Sequence, residues 1–193
     1  MRNQSLSIAG TAVLGALVII FDLALWSLRI KIPFPLFPRL RFDISGIPVI
    51  LSLFLYGPLS GAATSIVLFV IVSFRNPFIA FMKALAEMST VAGMIPFYGR
   101  RSRASAVLSV ASGVTLRVGV MVVANTVLLP AFSILSWDAA VSLAPFMAGF
   151  NVVAGIISSV GAYAIYQALL KRFRTSPKDM ASLVIRANST NSH

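Results

Sequence analysis

The chain has 193 residues, 58% of them hydrophobic and 11% charged, with a mean hydropathy of +0.92. That is too apolar for a soluble globule, in which about a quarter of residues are charged. Sixteen Lys and Arg against five Asp and Glu give a net charge of +11, which in so apolar a chain reads as membrane topology and not as nucleic-acid binding.

Cys is absent and His193 is the single His. A disulfide scaffold, a thiol nucleophile and a Cys-based metal site are thereby excluded, and no internal His is left for acid–base or metal chemistry.

A helical span needs about 20 mainly apolar residues. The first expected span is 7–28. It lacks a small-residue cleavage site and is not read as a signal peptide. Residues 28–42 carry Arg29, Lys31, Arg39 and Arg41 between Pro33, Pro35 and Pro38. Prolines at that spacing forbid a regular helix, so an ordered or extended loop is expected. The second span starts with Ser45 as N-cap and Pro48 in its first turn, and ends at Tyr56, short for a crossing. Gly57-Pro58 separates it from a third span at 58–74. Arg75-Asn76-Pro77 reads as a turn. The fourth span is 78–98, stopped by Arg100, Arg101 and Arg103. The fifth is 104–129, closed by Pro130, and a loop with Trp137 and Asp138 follows. The sixth is 143–170, ending in Lys171, Arg172 and Arg174.

The expected fold is thus an all-α integral membrane protein, a six-transmembrane-helix bundle with a Pro-rich loop between helices 1 and 2. Residues 1–174 form a single membrane domain, and 175–193 a polar, disordered cytoplasmic tail. Nine basic residues fall on the face of the termini: Arg2, Arg100, Arg101, Arg103, Lys171, Arg172, Arg174, Lys178 and Arg186. Five fall opposite: Arg29, Lys31, Arg39, Arg41 and Arg75. The positive-inside rule puts both termini in the cytoplasm of a multi-pass cell-membrane protein. The four basic residues of the first loop resist that rule. They suit either lipid head groups or a basic lid over an outward-facing ligand site.

Lys83 and Arg117 lie inside spans, and Asp22, Asp43 and Glu87 lie in or near them. A central charge costs about 2.5–3.5 kcal/mol even on a lenient insertion scale, so each should face the bundle interior and find a partner. Lys83 and Glu87, four apart, can meet on one helix face, and Arg117 can pair with Asp22 or Glu87. The same groups could line a polar substrate cavity. Asn125 follows Arg117 by two turns, and Asn151 lies in the sixth span. Either could bond another helix or a ligand amide. Phe37, Phe42, Trp26, Tyr56 and Phe150 could stack on a flat ligand or belong to interfacial belts. Ala9, Ala12 and Ala16 form a small-residue stripe on the first helix, suited to packing in the bundle or to docking another membrane protein.

The most specific text is Leu40-Arg41-Phe42-Asp43-Ile44-Ser45-Gly46-Ile47-Pro48, followed by Leu55-Tyr56-Gly57-Pro58-Leu59-Ser60-Gly61. It resembles the substrate-binding S components of energy-coupling factor (ECF) vitamin transporters, closest to the riboflavin-specific branch. The resemblance implies a six-helix bundle with cytoplasmic termini and a vitamin pocket near the outer side, closed by the first loop. It implies docking of Ala9, Ala12 and Ala16 on a transmembrane T component served by two ATPases, with a hinge at Gly57, Pro58 and Gly61. It matches Asp43 to the helix 2 signature and Asn125 and Asn151 to ligand-contacting positions, and these three, with Phe42, Lys83, Glu87 and Arg117 from the reading of the residues above, are the substrate-binding candidates. Where that branch usually carries a second Asp this chain has Gly46, and Ala154 stands where it usually has a Lys. Arg117 is the candidate to supply that cation.

The function expected is capture of a vitamin, riboflavin first, as transported ligand and with no cofactor or metal. The chain carries no phosphate-binding loop, so ATP hydrolysis falls to partners and the chain is not an enzyme. The alternatives are an S component for another vitamin or small anionic compound, a standalone secondary transporter using Arg117 and Glu87, and a structural subunit. An intramembrane enzyme would have to rely on Asp22, Asp43 or Glu87, whose spacing suggests no metal site.

Overall fold

The structure, a computed structural model, describes residues 4–28, 32–35, 37–100 and 102–190. Among these, six principal helices follow in chain order: α1 (Gln4–Ser27), α2 (Gly46–Tyr56), α3 (Pro58–Ser73), α4 (Pro77–Met94), α5 (Arg103–Ala131) and α6 (Trp137–Thr190). Four stretches are long and apolar enough to cross a membrane: Ser7–Ser27, Pro77–Phe97, Ala104–Ala131 and Trp137–Arg172. The remaining two helices are shorter. At 1.5 Å per residue, the 11 residues of α2 rise only about 17 Å, just over half a hydrocarbon core. Burial explains how so short a helix is accommodated. Val49, Ile50 and Leu53 are fully enclosed by other helices, so most of α2 meets protein instead of lipid.

The first loop, expected as ordered or extended chain, is the one part outside the helices with regular structure among the described residues. It contains an antiparallel hairpin, β1 (Ile32–Phe34) and β2 (Phe37–Phe42), with Ile32 opposite Phe42, Pro33 opposite Arg41 and a register shift between Pro33 and Phe34. The prolines that forbid a helix also explain the strands. A residue before Pro is pushed into the extended region, and a two-stranded ribbon has edges on which a missing N–H is tolerated. Arg29 and Lys31, two of the loop's four basic residues, lie outside the described residues, while Arg41 is exposed.

Local signals set most boundaries. Asn76 caps α4 by accepting from the Ile79 N–H at 2.9 Å, and Pro77 fills the first helical position. Gly57 has φ 105° and ψ 179°, a region essentially reserved for Gly, and this breaks α2 from α3. Gly61 lets α3 lie close on Leu53 and Val91.

Three local expectations are corrected. Ser45 does not cap α2 with its own side chain. Its N–H and hydroxyl both donate to Asp43 Oδ1, at 3.2 and 2.8 Å, so Asp43 turns the chain into the helix. α6 starts at Trp137 instead of near 143, because the Ser136 hydroxyl accepts from the Ala139 N–H and Asp138 favours the first turn. The α6 backbone also stays helical to Thr190, past the expected start of the tail at Thr175. Met180, Ala181 and Leu183 are good helix formers, and polarity alone does not stop a helix.

The core is built by α1, α2, α3 and α4 around Leu14, Val18, Ile50, Leu53, Leu68 and Met94. A smaller cluster joins α4 to α5 through Met82, Ala86, Met121 and Ala124. The two ends of the bundle differ. At one, Tyr56 lies directly on Gly10 and Tyr98 approaches Gly57. At the other, Arg75 stacks on Trp26 at 5.1 Å beside the start of the hairpin, and Phe78 meets Phe132.

Candidate functional site

Among the described residues, the charged side chains inside the bundle fall into two groups linked along α4. The first lies beneath the hairpin. Asp22 of α1 is fully buried and pairs with Arg75 of the α3–α4 turn and with Lys83 Nζ of α4 at 3.0 Å. Lys83 also holds Asp43 Oδ2, at the end of β2. Two cations thus neutralise two acids, and Lys83 ties the hairpin exit to α1. Partial burial pushes the Arg75 guanidinium below its ordinary pKa.

One turn along α4 lies the second group. Arg117 Nη1 donates to Glu87 Oε1 at 2.9 Å and reaches Thr90 Oγ1 at 3.4 Å, while Arg117 Nε reaches Asn151 Oδ1 at 3.4 Å. Glu87 and Arg117 are only 3% and 6% exposed, so the pair is isolated from water and lipid alike. Arg117 is thereby fixed between α4 and α6. Gly155 on α6 makes room for it: a Cβ there would stand 3.1 Å from Arg117 Cδ.

An aromatic wall closes the ring. Phe42 of the hairpin meets Phe150 of α6 with centroids 4.5 Å apart, and Phe34 lies 5.6 Å from Phe150. Phe42 precedes Asp43, and Phe150 precedes Asn151. The contacts therefore run from Phe42 and Asp43 to Lys83, along one face of α4 to Glu87, across Arg117 to Asn151, and back through Phe150 to Phe42. Six of the seven expected substrate-site residues belong to this circuit. The seventh, Asn125, does not. It is buried on α5, donates to the Met121 carbonyl at 2.6 Å, and bonds none of the other six among the described residues.

Of the expected pairings, that of Arg117 with Glu87 forms and that of Lys83 with Glu87 does not. Lys83 bonds Asp22 and Asp43 instead of Glu87, and Glu87 takes Arg117. Three residues were not expected in the site: Phe34, Thr90 and Gly46. Thr90 follows Glu87 by three and Lys83 by seven, so the helix period alone would have found it. Gly46 carries no such signal, because its role is space. A Cβ there would stand 2.5 Å from Glu87 Oε1 and 2.5 Å from Ser158 Oγ. The small stripe Ala9, Ala12 and Ala16 faces out of the bundle, with all three residues exposed.

Among the described residues no cluster of three potential metal ligands occurs. What the ring offers is a set of fixed donors and acceptors beside an aromatic wall, suited to holding a small molecule.

Comparison with known proteins decides the family. The family model for the ECF transporter, substrate-specific component, matches residues 6–169. The chain belongs to that family. A search of curated proteins gave no match. Among solved structures, the S component described in "Structure and mechanism of the S component of a bacterial ECF transporter" aligns with a TM-score of 0.75 at 23% identity, over 89% of this chain and 99% of that one. At that identity the likeness concerns the fold. As an S component the chain is a transport subunit of a membrane transporter and not an enzyme. The family works with a T component and with ATPases in separate subunits.

Proposed function

We propose that this S component captures a flat vitamin, riboflavin before others, in the ring formed by Phe42, Asp43, Lys83, Glu87, Arg117 and Asn151. The observation that carries this reading is the circuit itself. Buried charges are expensive in a membrane protein and persist where they face a site or a partner. Here they line up beneath an aromatic wall made by a hairpin and a helix. Stacking on Phe42 and Phe150 would contribute about 0.5–1.5 kcal/mol per ring pair beyond burial, and Arg117, Glu87 and Asn151 would orient the ligand's polar edge. The hairpin is the cover, tied down by Lys83. Asn125, away from this circuit, acts in helix packing.

In the same reading all six helices count as crossings, with α2 and α3 crossing as a pair broken at Gly57. Both termini are cytoplasmic, supported by nine basic residues on that face against five on the other. The outward face of Ala9, Ala12 and Ala16 docks the T component, which small residues would let approach closely.

The test is the absorbance spectrum of the purified protein, followed by uptake into liposomes. The expected result is a flavin band, or flavin binding on titration, with uptake that requires the T component and ATPases. Uptake by the chain alone would favour a secondary transporter instead.

A further inference from the structure

We propose that Glu87 is the specificity-determining acceptor of this site, receiving an N–H of the ligand at its second carboxylate oxygen. The S component would then select a flat heterocycle that buries an N–H donor, and would reject ligands whose buried end is a carboxylate or phosphate. The inference rests on the reading of the ring as the vitamin site, and it deepens that reading.

Glu87 Oε1 is occupied by Arg117, but Oε2 is buried without a hydrogen-bond partner. A buried carboxylate oxygen without a donor is costly, and the cost disappears when a donor arrives. Nearby donors are already committed. Lys83 serves Asp22 and Asp43. The Thr90 hydroxyl donates to the Ala86 carbonyl at 2.8 Å, and the Asn151 amide to the Met147 carbonyl at 2.9 Å. None of these bonds reaches Oε2, which leaves it open to an N–H brought by a ligand.

Geometry also keeps the carboxylate in place. Gly46, the first residue of α2, leaves the space it fills: a Cβ would stand 2.5 Å from Oε1 and 2.7 Å from Cδ. Gly46 is thus a positioning residue for Glu87. Oε2 belongs to the carboxylate that Arg117 holds through Oε1, so an acceptor and a cationic donor share this end of the ring, the combination that an imide edge, with its N–H between two carbonyl oxygens, would use.

The test uses the purified full chain with riboflavin and with N3-methylriboflavin, whose imide has no N–H, titrated by fluorescence quenching. Glu87→Gln keeps the shape. Arg117 holds the amide oxygen on its own side, so the amide NH2 is turned toward the ligand's N–H. We expect the wild type to prefer riboflavin by about tenfold or more, and Glu87→Gln to lose that preference by weakening riboflavin by a similar factor. Gly46→Ala, which displaces the carboxylate without removing it, should weaken riboflavin too, and it carries the test if Glu87→Gln does not fold. Equal wild-type binding of both flavins, or riboflavin binding by either variant as tight as wild type, would overturn the proposal while leaving the S-component reading intact. If the wild type binds neither flavin, the riboflavin reading fails instead. The same proteins are then titrated with thiamine and biotin, which carry N–H donors, and with lipoate, which carries none. Binding of thiamine or biotin that is lost in Glu87→Gln supports the acceptor role. Lipoate binding indifferent to Glu87→Gln, or binding of none of the three, overturns it.

Discussion

Removing Arg117 alone should harm the fold more than removing both members of its pair. Arg117 and Glu87 are 6% and 3% exposed, and their 2.9 Å bond is the one hydrogen bond to Glu87's carboxylate among the described residues. In Arg117→Met the apolar side chain fills the space, but Glu87 is left as a buried charge with no counterion. Breaking a buried pair in this way costs about 3–5 kcal/mol. The double variant Arg117→Met/Glu87→Gln removes both charges together, and replacing a whole pair is often close to neutral. It also loses the weaker Thr90 and Asn151 contacts of Arg117, about 1 kcal/mol each. The expected order is therefore wild type, then the double variant, then Arg117→Met. The gap between the last two should be on the order of 2 kcal/mol, or a few degrees in melting temperature. The assay is thermal unfolding of detergent-solubilised protein followed by size-exclusion recovery, run as a double-mutant cycle. Strictly additive effects, or an Arg117→Met variant as stable as the double, would refute the claim that this pair is desolvated and mutually dependent.

Three further outcomes follow from the same coordinates. Gly57→Ala should destabilise by about 1–3 kcal/mol in the same unfolding assay, because φ 105° with ψ 179° excludes a Cβ and Tyr98 Oη would lie 3.2 Å from it. Lys83→Met should loosen the hairpin exit from α1, since Lys83 bridges Asp22 and Asp43; trypsin should then cut at exposed Arg41 several-fold faster than in wild type, and an unchanged digestion rate would contradict the tie. Asn151→Ala should weaken ligand binding by about tenfold, whereas Asn125→Ala should leave it within a factor of two and register only in thermal stability; the reverse ranking would place the site elsewhere in the bundle.

How much of this was legible in the sequence depends on the kind of signal. Helix limits marked by local chemistry, such as Asn76-Pro77 and Gly57-Pro58, were read correctly because the signal and the structure involve the same few residues. The start of α6 was missed because Ser136 is a weak cap, hidden by a mixed stretch with Trp137 and Asp138. The hairpin was half visible: three prolines announced extended chain, but pairing Ile32 with Phe42 needs a partner that no single segment specifies. For the site, the cost of charge in a membrane singled out Lys83, Glu87 and Arg117, and their burial bears out that logic. It assigned partners only in part, offering Arg117 with Glu87 as one of two choices. Helical spacing suggested Lys83 with Glu87, but tertiary contacts gave Lys83 to acids from α1 and the hairpin and left Glu87 for Arg117. Asn125 shows the same limit, since a position two turns from Arg117 does not fix which neighbour its amide meets. Gly46 was invisible as a functional position because its contribution is the absence of a side chain beside Glu87.

The central claim is that the ring between the hairpin, α4, α5 and α6 holds a flat vitamin. Calorimetric titration of the purified wild-type chain with riboflavin tests it most directly. The account predicts one site per chain with sub-micromolar affinity, abolished or strongly weakened by Arg117→Met. Sub-micromolar binding untouched by changes at Arg117, Glu87 and Asn151 would contradict the placement of the site, and no saturable binding of riboflavin would contradict the choice of ligand.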